Sequence, residues 1–253
     1  MKHRNKFIYI LMIIIVFAFV VGLGMHNSNQ LVKAKVKKTR ISNMKHIEEK
    51  KVVKQNDNKY KDKTWYAIGD SITSLNKYPY YLKDMMLLKK YVNDSIIGRK
   101  MSTMADRVST TNLANIDFIT VFGGTNDYAW NTPLGNINDD KTVNSFYGNL
   151  QKVINKIQST NPNAELVFIT PTKRGEFAKQ PVYPNANSGG YHLEDYVQAI
   201  KDVSNKNNIK VIDLFNLSGI DETNLDTYTS DNLHPNEAGC KKIDQVIKTE
   251  LEK

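Results

Sequence analysis

From Thr64 onward short β-rich runs alternate with segments of helical period, and this alternation restricts the fold more than any other feature of the chain. The runs are Trp65–Ile68, Tyr91–Ile97, Phe118–Phe122, Leu166–Thr170 and Val211–Leu214. Val143, Phe146, Tyr147, Leu150, Val153, Ile154 and Ile157 form one apolar stripe. Leu193, Tyr196, Val197, Ile200 and Val203 form a second, and Ile243, Val246, Ile247 and Leu251 a third at the C-terminus. Recurrence at i, i+3, i+4 and i+7 is the mark of helices with one buried face. Strands separated by such helices predict parallel βαβ units, with helices on both faces of one sheet. In that architecture ligands bind beyond the carboxyl ends of the strands. There is no internal repeat.

The first 63 residues have a different character. Residues 1–6 are a basic N-terminal segment, and residues 7–24 are an unbroken apolar run, FIYILMIIIVFAFVVGLG. Eighteen helical residues span about 27 Å, near the thickness of a bilayer's hydrocarbon core. Gly22 and Gly24 are small, but no A-x-A processing site and no lipidation cysteine follows. The expectation is therefore a single-pass transmembrane anchor, with a cleaved signal segment and a secreted protein as the alternative. The outer flank is the more basic one, against the usual charge bias. A basic segment leading a first apolar run is nonetheless the common export signal, so the rest of the chain is expected outside the cell. Residues 25–63 read as a stalk. Over 31–63 twelve Lys/Arg face four acids, a charge suited to a solvated spacer or to contact with anionic lipid or wall polymer. Residues 64–253 are expected to form the folded domain.

Charge placement bears on function. The chain carries +9, but residues 64–253 hold twenty basic and twenty-two acidic residues. Nucleic-acid binding needs a basic face on the domain itself, so no nucleic-acid partner is expected. The single cysteine, Cys240, permits no internal disulfide and reads as a packed residue of the last helix. The YHLED stretch around His192 does not have the HExxH zinc spacing. No metal or organic cofactor is expected.

Three strand-end segments and one ahead of the last helix carry the chemistry. The first strand runs into Gly69-Asp70-Ser71-Ile72-Thr73, which sets a serine at the mouth of the sheet; taken alone, Gly-Asp-Ser reads first as a helix cap. Ser95-Ile96-Ile97-Gly98-Arg99-Lys100 follows the second strand, and its glycine is either a backbone donor or a turn residue. The third strand ends in Gly123-Gly124-Thr125-Asn126-Asp127, offering a neutral amide donor at the same edge. Asp231-Asn232-Leu233-His234-Pro235 puts an acid and an imidazole three residues apart, ahead of a helix that Pro235 is placed to start. His3, His26 and His46 lie in the N-terminal segments, and His192 opens a helix, so His234 alone has a carboxylate at useful spacing.

Together, in this order, these blocks resemble the SGNH (GDSL-like) hydrolase family. GDSIT, the loop glycine, GGTND and DNLHP match its four blocks across residues 64–253; the second match is loose. The resemblance implies a three-layer α/β/α sandwich with a flavodoxin-like parallel sheet. It implies Ser71 as nucleophile, His234 as base and Asp231 as its orienting acid. It also implies an oxyanion hole from the Ser71 and Gly98 backbone N–H groups and the Asn126 side chain. The expected activity is hydrolysis of short-chain esters, acetyl above all, on a saccharide or wall polymer. The polar 171–192 loop and nearby Tyr128, Trp130, Tyr183 and Tyr191 favour that substrate. The alternatives are a lipase or lysophospholipase, which needs an apolar acyl groove, and a non-catalytic glycan-binding protein, which has no need of the base.

Overall fold

The computed structural model describes residues 33, 35–45, 58–75 and 78–253. The chain divides into two units, Met1–Asn58 and Lys59–Lys253. In the first, residues 35–45, within the expected stalk, are helical with exposed side chains. The apolar run over 7–24 lies outside the described residues, as do Gly22, Gly24 and His26. Among the described residues no helix is long and apolar enough to cross a membrane.

The second unit begins upstream of the expected Thr64 start. Tyr60 is buried, its ring 4.8 Å from that of Phe118, and its hydroxyl donates to Glu165 Oε1 at 2.8 Å. Its strands are β1 (Thr64–Gly69), β2 (Lys90–Ser95), β3 (Phe118–Phe122), β4 (Glu165–Ile169) and β5 (Lys210–Ile212). They form a parallel sheet in the order β2-β1-β3-β4-β5. This is the doubly wound, flavodoxin-like order, and its direction of winding reverses between β1 and β3. Side chains alternate across the sheet, as a period of two requires. Tyr66, Ile68, Ile119, Val121 and Phe168 face one core, while Trp65, Ala67, Phe118, Phe122 and Val167 face the other.

The helices of this unit are α1 (Ser71–Leu75), α2 (Tyr78–Met85), α3 (Met101–Thr110), α4 (Thr125–Ala129), α5 (Phe146–Thr160), α6 (Leu193–Lys206), α7 (Leu214–Leu217), α8 (Leu225–Tyr228) and α9 (Glu237–Leu251). α3, α5 and α6 cover the first core; α2 and α9 cover the second. The layers are those expected of an α/β/α sandwich.

Several boundaries differ from the sequence reading. Val143 precedes α5 and is exposed; Ser145 caps that helix, its Oγ accepting from Gly148 N at 3.0 Å. β5 stops at Ile212 because Asp213 caps α7. β2 stops at Ser95, and Ile96 and Ile97 emerge exposed at the sheet edge. Pro235 does not start the last helix. It forms an isolated bridge with Thr229, and Asn236 is the cap, its side chain accepting from Gly239 N. Helices α1 to α3 were not anticipated, although Met101, Met104, Ala105 and Val108 of α3 have the required spacing and are buried.

Candidate active site

The carboxyl ends of β1, β2 and β3 meet where the winding reverses, and three of the four sequence blocks lie there. Gly69 closes β1; a Cβ at this position would collide with Thr73 Oγ1 and lie 3.3 Å from Phe122 O. Ser71 is the first residue of α1, where a backbone N–H has no intrahelical acceptor. Gly124 has φ +114°, a conformation that L side chains rarely adopt, and it turns the chain from β3 directly into α4, which carries Asn126.

The fourth block folds back on the same edge. Asn232 has φ +65°, which asparagine tolerates better than most residues. The turn is closed by Ser230 N donating to His234 O at 2.8 Å and by Asn232 N donating to Thr229 Oγ1 at 3.0 Å. Asp231 and His234 therefore face one side. His234 Nδ1 lies 2.7 Å from Asp231 Oδ2, and His234 Nε2 lies 2.9 Å from Ser71 Oγ. Asp231 Oδ1 also accepts from His234 N at 2.8 Å and Leu233 N at 3.2 Å. Burial works to raise the Asp231 carboxyl, but the His234 backbone and imidazole outweigh it and hold the group below its ordinary value. An ionised Asp231 fixes the proton on Nδ1 and leaves Nε2 free to accept from the serine hydroxyl.

The donors around Ser71 are arranged less simply. The Asn126 side chain is buried, and its Nδ2 donates to Arg99 O at 3.2 Å and to Asp70 Oδ2 at 3.3 Å. Both bonds are long for N–H···O, so either hydrogen is poised for a better acceptor. Gly98 is exposed with φ +73°, and among the described residues its N–H meets no acceptor. Its loop is tied to the site by Arg99 O and by Ile96 N donating to Gly69 O at 3.2 Å. Asp127 holds the next helix: its carboxylate accepts from Met101 N at 3.0 Å. Asp70 and Asp127 are both fully buried, and burial pushes each carboxyl up to about 7, with the Asp127 charge adding to the rise at Asp70. Among the described residues no group of acidic, histidine and cysteine side chains is placed to hold a metal ion.

A GDSL-like lipase/acylhydrolase family model matches residues 67–242. The chain belongs to that family. A solved protein from Lactobacillus plantarum shares 28% identity and a TM-score of 0.71, over 76% of this chain and 97% of that one. A lipase/acylhydrolase from Enterococcus faecalis, 17% identical, has a TM-score of 0.57 over 75% and 95%. A GDSL-like lipase from Bacteroides thetaiotaomicron, also 17% identical, has a TM-score of 0.57 over 76% and 88%. The last two likenesses speak for the fold alone. No curated protein matches the chain.

Beyond the family blocks, the 170–192 connection supplies neighbours that sequence reasoning passed over. Phe177 sets its ring edge-on to the His234 imidazole, centroids 5.1 Å apart. Gly175 N donates to Asn232 O at 2.8 Å, and Asn232 Nδ2 donates to Glu176 O at 3.3 Å. Three of the four aromatics offered as sugar-facing pack against other elements, Tyr183 and Tyr191 remaining half-buried. Tyr128 is in the core, Tyr183 packs on Phe215, and Tyr191 packs on Tyr196. Trp130 is 59% exposed, one turn beyond Asn126. His192 caps α6 and bonds to Pro184 O. Cys240 is buried in α9.

Proposed function

We propose that the protein is a serine esterase in which Ser71 attacks an ester carbonyl. The observation that carries this reading is the unbroken hydrogen-bonded series Asp231–His234–Ser71, at 2.7 and 2.9 Å, at the carboxyl edge of β1. In the proposed reaction His234 Nε2 takes the hydroxyl proton as Oγ bonds to the carbonyl carbon. The oxyanion is met by the N–H groups of Ser71 and Gly98 and by an Asn126 amide hydrogen exchanged from Asp70 or Arg99. Collapse expels the alcohol, which leaves with the proton from His234. Water, deprotonated by the same imidazole, then releases the carboxylic acid and restores the hydroxyl. Ser71→Ala and His234→Ala are each expected to lower kcat on p-nitrophenyl acetate by on the order of 10⁶-fold. A Ser71→Ala protein that keeps the wild-type rate would refute the reading.

For the substrate we favour a short acyl group, acetyl first, on a saccharide or wall polymer. Exposed Trp130 beside Asn126 supports it, as do the polar residues of 171–192. A long-chain reading has its own support: Ile96 and Ile97 follow β2, and Leu75 ends α1, all more than half exposed. Each methylene buried there is worth about 0.8 kcal/mol. Rates on matched esters from acetate to laurate separate the two; efficiency that keeps rising with chain length favours the lipase. We further propose that the segment over 7–24 holds this unit at the outer face of the cell membrane. The apolar run and its basic flank support that placement. Protease added to intact protoplasts should remove the esterase activity from the membrane fraction, and a protected activity would contradict it.

A further inference from the structure

Arg174 presents the least expected environment in the folded unit. It is fully buried, yet among the described residues no carboxylate lies within ion-pair distance. Its Nη1 donates to Thr125 Oγ1 at 3.1 Å and its Nη2 to Gln180 Oε1 at 2.5 Å, while Nε is buried with no acceptor. A buried cation with neutral partners is costly to keep. The carboxylates that act on it do so through space, and they are Asp70, beside Ser71, and Asp231. Burial lowers the guanidinium to about 10, so it remains a cation at neutral pH.

The position of Arg174 in the chain gives this burial a use. One end of the side chain grips Thr125, the residue before Asn126. The backbone that follows it is bonded to the His234 loop at Gly175 and Glu176, and Phe177 abuts the imidazole. Asn126 belongs to α4, after β3, and His234 to the turn before α9. Among the described residues no strand pairing joins these two; the 174–177 segment is bonded to the elements of both, alongside the link through Asp70 and Ser71.

We propose that Arg174 is a positioning residue, a buried strut that sets the His234 imidazole at working distance from the Asn126 amide and Ser71. This rests on the esterase reading above. Lysine would keep the charge but not the planar fork that meets two acceptors. Displacement of a catalytic group by about 1 Å is enough to cost on the order of 10²-fold in rate.

The test uses full-length, detergent-solubilised protein and p-nitrophenyl acetate, with Ser71→Ala in the same series. Arg174→Lys and Arg174→Ala should lower kcat by on the order of 10²-fold with KM nearly unchanged. Thr125→Val, which removes one acceptor and keeps the shape, should give a smaller loss of the same kind. Low guanidinium chloride should restore part of the kcat of Arg174→Ala, and sodium chloride of equal ionic strength should not. If Arg174→Ala does not fold, Arg174→Lys and Thr125→Val decide the question. A folded Arg174 variant with kcat within twofold of wild type, a loss confined to KM, or equal rescue by both salts would overturn the proposal. An unchanged rate in Ser71→Ala would instead bring down the esterase reading and the inference with it.

Discussion

Asp244 offers a direct check of the energetics of this fold. It lies on α9 with both carboxylate oxygens buried and unpartnered, beside Ile243 and Ile247 in the second core and near Tyr78. Burial alone pushes its carboxyl from 3.8 up to about 8. The folded protein therefore binds this proton more tightly than the unfolded chain, and the sign follows. The contribution is fully present below pH 3.8 and is lost as pH rises to about 8. Between those limits the loss is about 1.36 kcal/mol per pH unit, or roughly 4 kcal/mol at pH 7. Asp244→Asn resembles the protonated acid in shape and in its unpaired polar atoms, but it carries no charge. The variant should match wild type near pH 4 and exceed it by up to about 4 kcal/mol at pH 7. At about 2–4 °C per kcal/mol for a domain of this size, the gain in Tm is on the order of 10 °C. Thermal unfolding followed by circular dichroism from pH 4 to 8 measures the difference. Asp70 and Asp127 slope the same way in both proteins and cancel in the comparison. Parallel Tm curves for the two proteins across that range would refute the reasoning.

Two other substitutions probe the site. Asp231→Asn keeps an acceptor for the Leu233 and His234 backbone N–H groups but loses control of the imidazole tautomer. It should lower kcat by on the order of 10⁴-fold with Tm nearly unchanged, and near-normal turnover would contradict the role given to Asp231. Trp130→Ala should raise KM on an acetylated oligosaccharide about two- to tenfold, the value of one aromatic contact, and leave p-nitrophenyl acetate unaffected. An equal effect on both substrates would count against a sugar-stacking role.

Legibility in the sequence divides along the range of the interactions involved. β3 was readable to the residue because FITVF is buried on both faces and carries one uninterrupted signal. β5 was not, since Leu214 continues the apolar run while Asp213 ends the strand by capping α7. Asp231 and His234 were readable because one tight turn sets their geometry, and a turn is local. Asn126 was readable as a donor, but its present partners were not, because Asp70 and Arg99 reach it from other strand ends. The same limit explains the aromatic assignments. Tyr183 and Tyr191 sit in a polar stretch, and whether such a ring packs inward depends on Phe215 and Tyr196, which come from other elements. Arg174 is the extreme case. An arginine in PTKRGEF reads as solvated, because charged loop residues ordinarily are. Nothing within the heptapeptide tells that Thr125 and Gln180 enclose it. The only trace is the length of the connection. A link of more than twenty residues between β4 and α6 is long for a compact domain, and such loops are commonly functional. The blocks that define the family thus name the groups proposed to react, while the group proposed to hold them in register lies in a segment outside those blocks.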